Sequence, residues 1–411
     1  MALGDERGRF SYLCVDPVRI LRVRRGETAI DGVHVPGDPL DLLKRELAAH
    51  YRPVVSSPLA FMGGAVGFFG YGLGGASRHD DTGSVPDMVV GFYDIVLGFD
   101  HRAERAWLVQ GDRPDCAEVL LERLNRSRGA MALPRLEWRP DLARDVYEAR
   151  VERVRAYIRA GDISQANFTA RHTALRPAAL DLPSLYLALR RANPAPFAAY
   201  LNYGEELTLL SASPERFLRL GADGEIETRP IKGTRPRDAD PARDAALAEE
   251  LAHSIKDRAE NLMIVDLLRN DIGRVAEIGS IKVPELCRVE SFARVHHLVS
   301  CIEGKLKPEF GAVDLLRAAF PGGSITGAPK IRAMQIIDEL EACRRGPYCG
   351  AIAWIGFDGA MDSSIVIRTI VAMPGELAMQ AGGGIVADSD AAAEYDEMMT
   401  KAAPFLEICD G

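Results

Sequence analysis

Alternating apolar and polar positions dominate the first third of the chain. The segments FSYLCVDP, AFMGGAVGFFGYG, MVVGFYDIVLGF and RAWLVQG read as strands punctuated by glycine. A helix, CAEVLLERLNRSR, closes this part, and MALPRLEWRPD reads as a connector. Beyond it, helical patterns alternate with strands. Residues 144–160 carry Val146, Val151, Val154, Tyr157 and Ile158 near helical spacing and stop at Gly161. A second helix is expected from Asp240-Pro241 through KDRAENLMIVDLLRND to Gly273, and a third after Asp390. LTLLSA, RFLRL, GEIETRPI, AIAWIGF, SSIVIRTIVAM and LAMQAGGGIV read as strands between them. Many strands joined by short turns predict an α+β fold, antiparallel sheets with helices outside. An N-terminal region over residues 1–135 and a second over 136–411 are expected to pack as one unit.

Composition narrows the function. The 411 residues are 47% apolar and 27% charged, as in an ordinary soluble globular protein. A net charge of −9 argues against nucleic acid or an anionic membrane as the main partner, because phosphate backbones select basic surfaces. The seven cysteines form no C-x-x-C pair and no Cys/His zinc spacing, which suggests reduced thiols in a cytoplasmic protein. The opening MALGDERGRF has no apolar signal core, and no run approaches the ~20 apolar residues of a membrane span.

Glycine loops offer little. Gly70-x-Gly72-x-x-Gly75 has the dinucleotide spacing, but SRHDDTGSVPD cannot supply the helix that must follow. Gly322-Gly-Ser-Ile-Thr-Gly327 is followed by Ala328-Pro329 where a phosphate loop needs Lys-Ser/Thr. No G-x-S-x-G or G-x-C-x-G elbow is present.

Charged residues in unusual frames are more informative. In ETRPIKGTRPR, Pro230 fixes φ before Lys232 and Gly233 frees it afterwards. Either this is a basic surface turn or the lysine is placed for chemistry. Glu394 and Glu397 share one face of the last helix, and Glu260 sits among Ala259, Leu262 and Met263. Carboxylates so placed suit a hard cation such as Mg²⁺, or are solvated helix faces. Glu215, in SPERF between apolar strands, is a general acid or an edge charge. Arg368, inside SSIVIRTIV, reads as a guanidinium in a buried strand that needs an anion. Gly382, Gly383 and Gly384 read as a strand-to-helix turn or as backbone N–H donors for an anion. His297 defaults to core packing.

Together these pieces resemble the chorismate-utilising enzymes, which include the anthranilate, aminodeoxychorismate, isochorismate and salicylate synthases. SASPERF, TRPIKGT, KDRAENLMIVDLLRND, HHLVS, PGGSITGAPKIRAMQ, MDSSIVIRT and AGGGIVADSDAAAEYDE stand in the family's order from about residue 145 to 408. The N-terminal part, with FMGGAVGFFGYGLG, is similar but weaker. The resemblance implies the fold of anthranilate synthase component I, with antiparallel sheets packed as a sandwich. PIKGT resembles the aminodeoxychorismate-forming members; anthranilate-forming members look like PIAGT, and anthranilate synthesis is the alternative activity. Gln165 stands where water-using members carry a lysine.

What the resemblance implies can be placed residue by residue. Lys232 is the nucleophile and Glu215 the general acid. Glu260, Glu397 and Glu394 hold Mg²⁺. Arg368, His297, Gln165, Thr326, Trp354 and the backbone of Gly382, Gly383 and Gly384 bind chorismate. Trp354 stands where family members often have a tyrosine, and Ser164 replaces a common aromatic. With no amidotransferase nucleophile in the chain, ammonia is expected from a separate glutamine amidotransferase subunit.

Overall fold

The structure is a computed structural model and describes residues 8–53, 56–75, 85–111, 113–126, 129–292 and 295–408. Its nine helices among these residues are α1 (Pro39–Ala49), α2 (Pro114–Leu124), α3 (Arg144–Arg159), α4 (Leu182–Ala192), α5 (Pro241–His253), α6 (Ile255–Gly273), α7 (Ala312–Ala319), α8 (Lys330–Leu340) and α9 (Ala391–Leu406). The strands form two large antiparallel sheets and a three-stranded one near the N-terminus.

Alternation along the strands builds the layers. In Ala351–Gly356, Ala351, Ala353 and Ile355 enter the core of the larger sheet, while Ile352 points the other way. In Thr208–Ser213 of the smaller sheet, Leu210 and Ala212 enter that sheet's own core, while Leu209 points the other way. The opposed residues Phe68, Val89 and Ile352 of the larger sheet meet Leu207, Leu209, Val366 and Val371 on the smaller sheet's side. Apolar residues at a period of two thus join the sheets face to face. Helices α6 and α7 cover the outer face of the larger sheet. Helices α3, α4, α8 and α9 cover that of the smaller one. The fold is α+β, a sandwich of antiparallel sheets with helices outside.

The N-terminal region is woven into this plan. Strand Gly64–Phe69 lies between Met88–Tyr93 and Ala351–Gly356 in one sheet.

Three sequence expectations change. The helix expected over 240–273 is two, because Ser254 takes an extended ψ of 110° and accepts the Asp257 N–H at 3.3 Å, capping α6. SSIVIRTIVAM divides into Met361–Ile365 and Thr369–Met373, with Arg368 in the break at φ +50°. GEIETRPI likewise belongs to two strands, Glu225–Thr228 and Ile231–Pro236. Between the two readings of Gly382–Gly384 the strand LAMQAGGGIV holds and the turn does not: all three glycines lie inside Glu376–Ile385 and pair with Thr169, Phe168 and Asn167. Cys14, Cys287, Cys301, Cys343 and Cys349 are free thiols; Cys409 and the side chain of Cys116 lie outside the described residues. Of SRHDDTGSVPD, residues 77–84 also lie outside them.

Candidate active site

Lys232 sits on Ile231–Pro236, the edge strand of the larger sheet. Register against Val295–Lys305 slips between Ile231 and Thr234, and Gly233 adopts φ +80° at the slip. A Cβ there would come within 2.8 Å of the Asp257 carboxyl carbon, so only glycine fits the bulge. The Lys232 Nζ donates to the Ser324 carbonyl at 3.2 Å. Burial pushes its pKa below the ordinary lysine value, against the pull of Glu260 and Glu215. Glu215, 6% exposed, shifts the opposite way. Burial raises it, while a hydrogen bond from Ser324 and the nearby lysine oppose that rise.

The second sheet supplies the facing wall. Gln165 opens the strand Gln165–Leu175 and is fully buried, yet neither atom of its carboxamide has a partner. Buried amides are nearly always bonded, so this pair marks a place where a polar ligand fits. A Cβ on Gly384 would lie 2.7 Å from the Gln165 Nε2 and 3.4 Å from the Lys232 Nζ. The glycine therefore lets the carboxamide and the amine converge.

Carboxylates stand on the next side. Glu260 precedes Ile264 by one helical turn, extending the stripe by which α6 faces the core. Burial raises its pKa. Glu394 opens the buried stripe of α9 that continues through Met398 and Ala402. Its Oε1 accepts from Ser389 at 2.6 Å and lies 3.6 Å from the Lys256 Nζ. Glu397, with its side chain 55% exposed, lies at the rim, 2.7 Å from the Lys401 Nζ. Burial pushes Glu397 up, but Lys401, Lys256 and Lys232 together hold the carboxyl below the usual glutamate value. Lys401 also donates to the Gly382 carbonyl at 3.0 Å. A Cβ on Gly383 would lie 3.1 Å from a Glu394 oxygen and 4.0 Å from a Glu397 oxygen. Glu260, Glu394 and Glu397 supply the hard oxygens that suit Mg²⁺, but their oxygens do not all lie within 4.8 Å of one another, and Lys256 and Lys401 pair with Glu394 and Glu397. Among the described residues, the one trio of metal-type donors within 4.8 Å of one another is Glu227, Cys301 and Glu303. Arg216 already pairs with Glu227 there, and one of the three donors is a thiol, which suits Mg²⁺ poorly.

The remaining expected residues divide. Thr326 is fully buried beside this cluster, its hydroxyl donating to the Gly322 carbonyl at 3.0 Å. Arg368 lies next to the strand that leads to Glu215, its carbonyl accepting from Ala212 at 3.0 Å. Burial lowers its pKa, and no carboxylate among the described residues pairs with its guanidinium. His297 bonds Thr234 through Nδ1 at 2.9 Å and stands against Phe292, one strand over from Lys232. Trp354 is not brought into the cluster. Strand alternation turns it away from the core of the larger sheet, against Phe61 at 5.2 Å. Sequence reasoning missed Ser324, which touches both Lys232 and Glu215, and the counter-charges Lys256 and Lys401. The i, i+4 spacing of Glu397 and Lys401 was a visible signal for the last.

Comparison with known proteins places the chain in a family. A family model described as chorismate binding enzyme matches residues 1–407. Aminodeoxychorismate synthase component 1 of Klebsiella aerogenes is 48% identical over 394 residues, 94% of this chain and 86% of that protein. Anthranilate synthase component 1 of Thermus thermophilus is 41% identical, over 98% of this chain and 90% of that protein. The crystal structure of anthranilate synthase component I from Streptococcus pneumoniae superposes with a TM-score of 0.87 at 35% identity, covering 96% of this chain and 91% of that one. The chain belongs to the chorismate-binding enzymes and is an enzyme that converts chorismate.

Proposed function

We propose that the chain joins ammonia to chorismate, forming 4-amino-4-deoxychorismate. The observation that carries this reading is Lys232 itself. Its amine is held between the Ser324 carbonyl and the unpaired Gln165 carboxamide, in surroundings that favour the neutral form. Glu215 is driven toward its protonated form in the same pocket. A neutral amine and a neutral carboxyl, side by side, are what nucleophilic attack with acid assistance requires.

In the first step the Lys232 nitrogen bonds to C2 as the C4–O bond breaks, with both ring double bonds shifting, from C1–C2 to C1–C6 and from C5–C6 to C4–C5. Glu215 gives its proton to the departing oxygen, so water leaves. Ammonia then bonds to C4 as the double bonds shift back and the C2–N bond breaks; Lys232 leaves as its neutral amine, and the proton shed by the new C4 nitrogen returns to Glu215. Arg368, unpaired and desolvated, takes a carboxylate of the substrate. Thr326, His297 and the backbone of Gly382–Gly384 line the ring. Mg²⁺ on Glu260, Glu394 and Glu397 would supply positive charge against the ring carboxylate. Several relatives are named as component 1 of a synthase, which supports a partner subunit here; we take it to be a glutamine amidotransferase that supplies ammonia.

Mass-resolved product analysis tests the reading. Purified protein is incubated with chorismate and Mg²⁺, with and without ammonium. The expected result is an ammonium-dependent amino product that retains the enolpyruvyl group. Anthranilate with free pyruvate would overturn it and establish the activity named for the Thermus relative.

A further inference from the structure

Behind the wall that carries Gln165 lies a buried charged pair outside the reaction scheme. Arg345 and Glu341 are each 5% exposed. Arg345 Nε and Nη2 donate to the two oxygens of Glu341 at 2.9 and 2.7 Å. The remaining reach of the guanidinium goes to two carbonyls, Ile325 at 2.8 Å and Asn167 at 2.5 Å. Glu341 also accepts from the backbone N–H and the hydroxyl of Thr169, at 3.0 and 2.7 Å. The guanidinium stacks over the Tyr71 ring at 4.6 Å.

The two carbonyls belong to the two walls of the site. Ile325 lies between Ser324, which meets Lys232 and Glu215, and Thr326. Asn167 stands two residues from Gln165 on the same strand. Backbone bonds between these segments run from Asn167 N–H to the Thr326 carbonyl and from Ser164 N–H to the Ala328 carbonyl, both at 2.7 Å. Arg345 is the side chain that grips both segments at once. A guanidinium can do this because its donors lie in one rigid plane; an ammonium on a flexible stem cannot serve all four acceptors in that geometry.

We propose that Arg345 is a positioning residue for the chemistry at Lys232. Held by Glu341, it sets the spacing between the Gln165 wall and the Ser324 loop, and so aims the Lys232 amine and the Glu215 carboxyl at one substrate. It touches neither substrate nor metal. The inference rests on the amination reading given above.

The test compares wild type with Arg345→Lys and Thr169→Val, measuring thermal melting together with kcat and KM for chorismate in ammonium. Arg345→Lys keeps the charge and the ion pair but loses the double carbonyl grip. It is expected to melt cooperatively, hold KM for chorismate within about threefold, and lose about 10- to 100-fold in kcat, the scale of a misplaced reacting group. Thr169→Val deletes one bond to Glu341 at constant shape and is expected to move kcat the same way by about threefold, a fraction of that misplacement. A lower melting temperature with kcat intact in either folded variant would reduce the pair to a structural role. If Arg345→Lys does not fold, an unchanged kcat in Thr169→Val overturns the proposal by itself. A wild-type protein that leaves chorismate untouched would sink the amination reading and this one together, whereas an active wild type with indifferent variants sinks only this one.

Discussion

Two residues of opposite charge type, Lys232 and Glu215, are shifted by one cause in opposite directions. Burial favours the uncharged form of each, and their mutual attraction opposes it without reversing either shift. Replacing Lys232 by alanine removes the nucleophile and leaves the carboxylates in place. Lys232→Ala is expected to lose about 100-fold or more in amino product, the scale of losing a catalytic group, while still binding Mg²⁺ by calorimetry. Unchanged turnover would remove the covalent step from the mechanism. At the rim, Glu397→Gln keeps the shape and deletes one charge, so the Mg²⁺ concentration for half-maximal rate should rise by about tenfold. An identical metal requirement would take Glu397 out of the ligand set. The grouping of Lys232, Glu215, Glu260 and Glu394 was legible only through the family's motifs, because each frame by itself also suited a turn, an edge or a solvated helix face. Ser324 was not, since its role depends on a carbonyl and a hydroxyl that only the folded loop presents. Trp354 falls outside the cluster because strand parity decides its face, and parity cannot be read from a motif.

At the level of elements, what periodicity could not show were the interruptions. The pattern from Asp240 to Gly273 stays helical in composition throughout, and only the extended backbone of Ser254 divides it. That serine starts the helix that carries Glu260, so its cap matters to the site as well as to the fold. Ser254→Ala should cost about 1 kcal/mol in urea unfolding, with Ser254→Asp close to wild type. Equal stability of all three would mean that tertiary packing alone fixes this start. The glycine run at Gly382–Gly384 carried two readings, a strand and a turn. Three glycines in sequence suggest a turn, but here each is a strand residue, and a backbone group at Gly382 and the Gln165 carboxamide at Gly384 come too close for a Cβ. Arg368 is the converse case, where an apolar run conceals a break at positive φ. In both, long-range contacts override local preference.

For the molecule as a whole, the layered plan was legible because alternation marks both faces of each strand, but the order of strands was not. Nothing local announces that Gly64–Phe69 will lie beside Ala351–Gly356. The smaller sheet contributes a global pH dependence. His172 is 2% exposed, both its ring nitrogens lack partners, and burial lowers its pKa. Between that lowered value and the ordinary one the unfolded chain binds more protons, so stability falls as pH drops below about 6.5. His172→Phe should flatten urea-unfolding free energies across that range, by at most about 1.4 kcal/mol per pH unit for one proton. A slope unchanged by the substitution would place the acid sensitivity elsewhere. The strand order makes the last prediction. Removing residues 1–135 would strip Ala351–Gly356 of a neighbour paired along all six residues of Gly64–Phe69. It would also take Phe68 and Val89 from the contact between the sheets. The remainder would then present an open, apolar sheet edge, which templates aggregation. Residues 136–411 alone are therefore expected to be insoluble or to melt without cooperativity, and co-expression with 1–135 to restore a folded complex. A soluble, cooperatively melting fragment would show that the catalytic region carries its own core and that the N-terminal strands only extend the sheet.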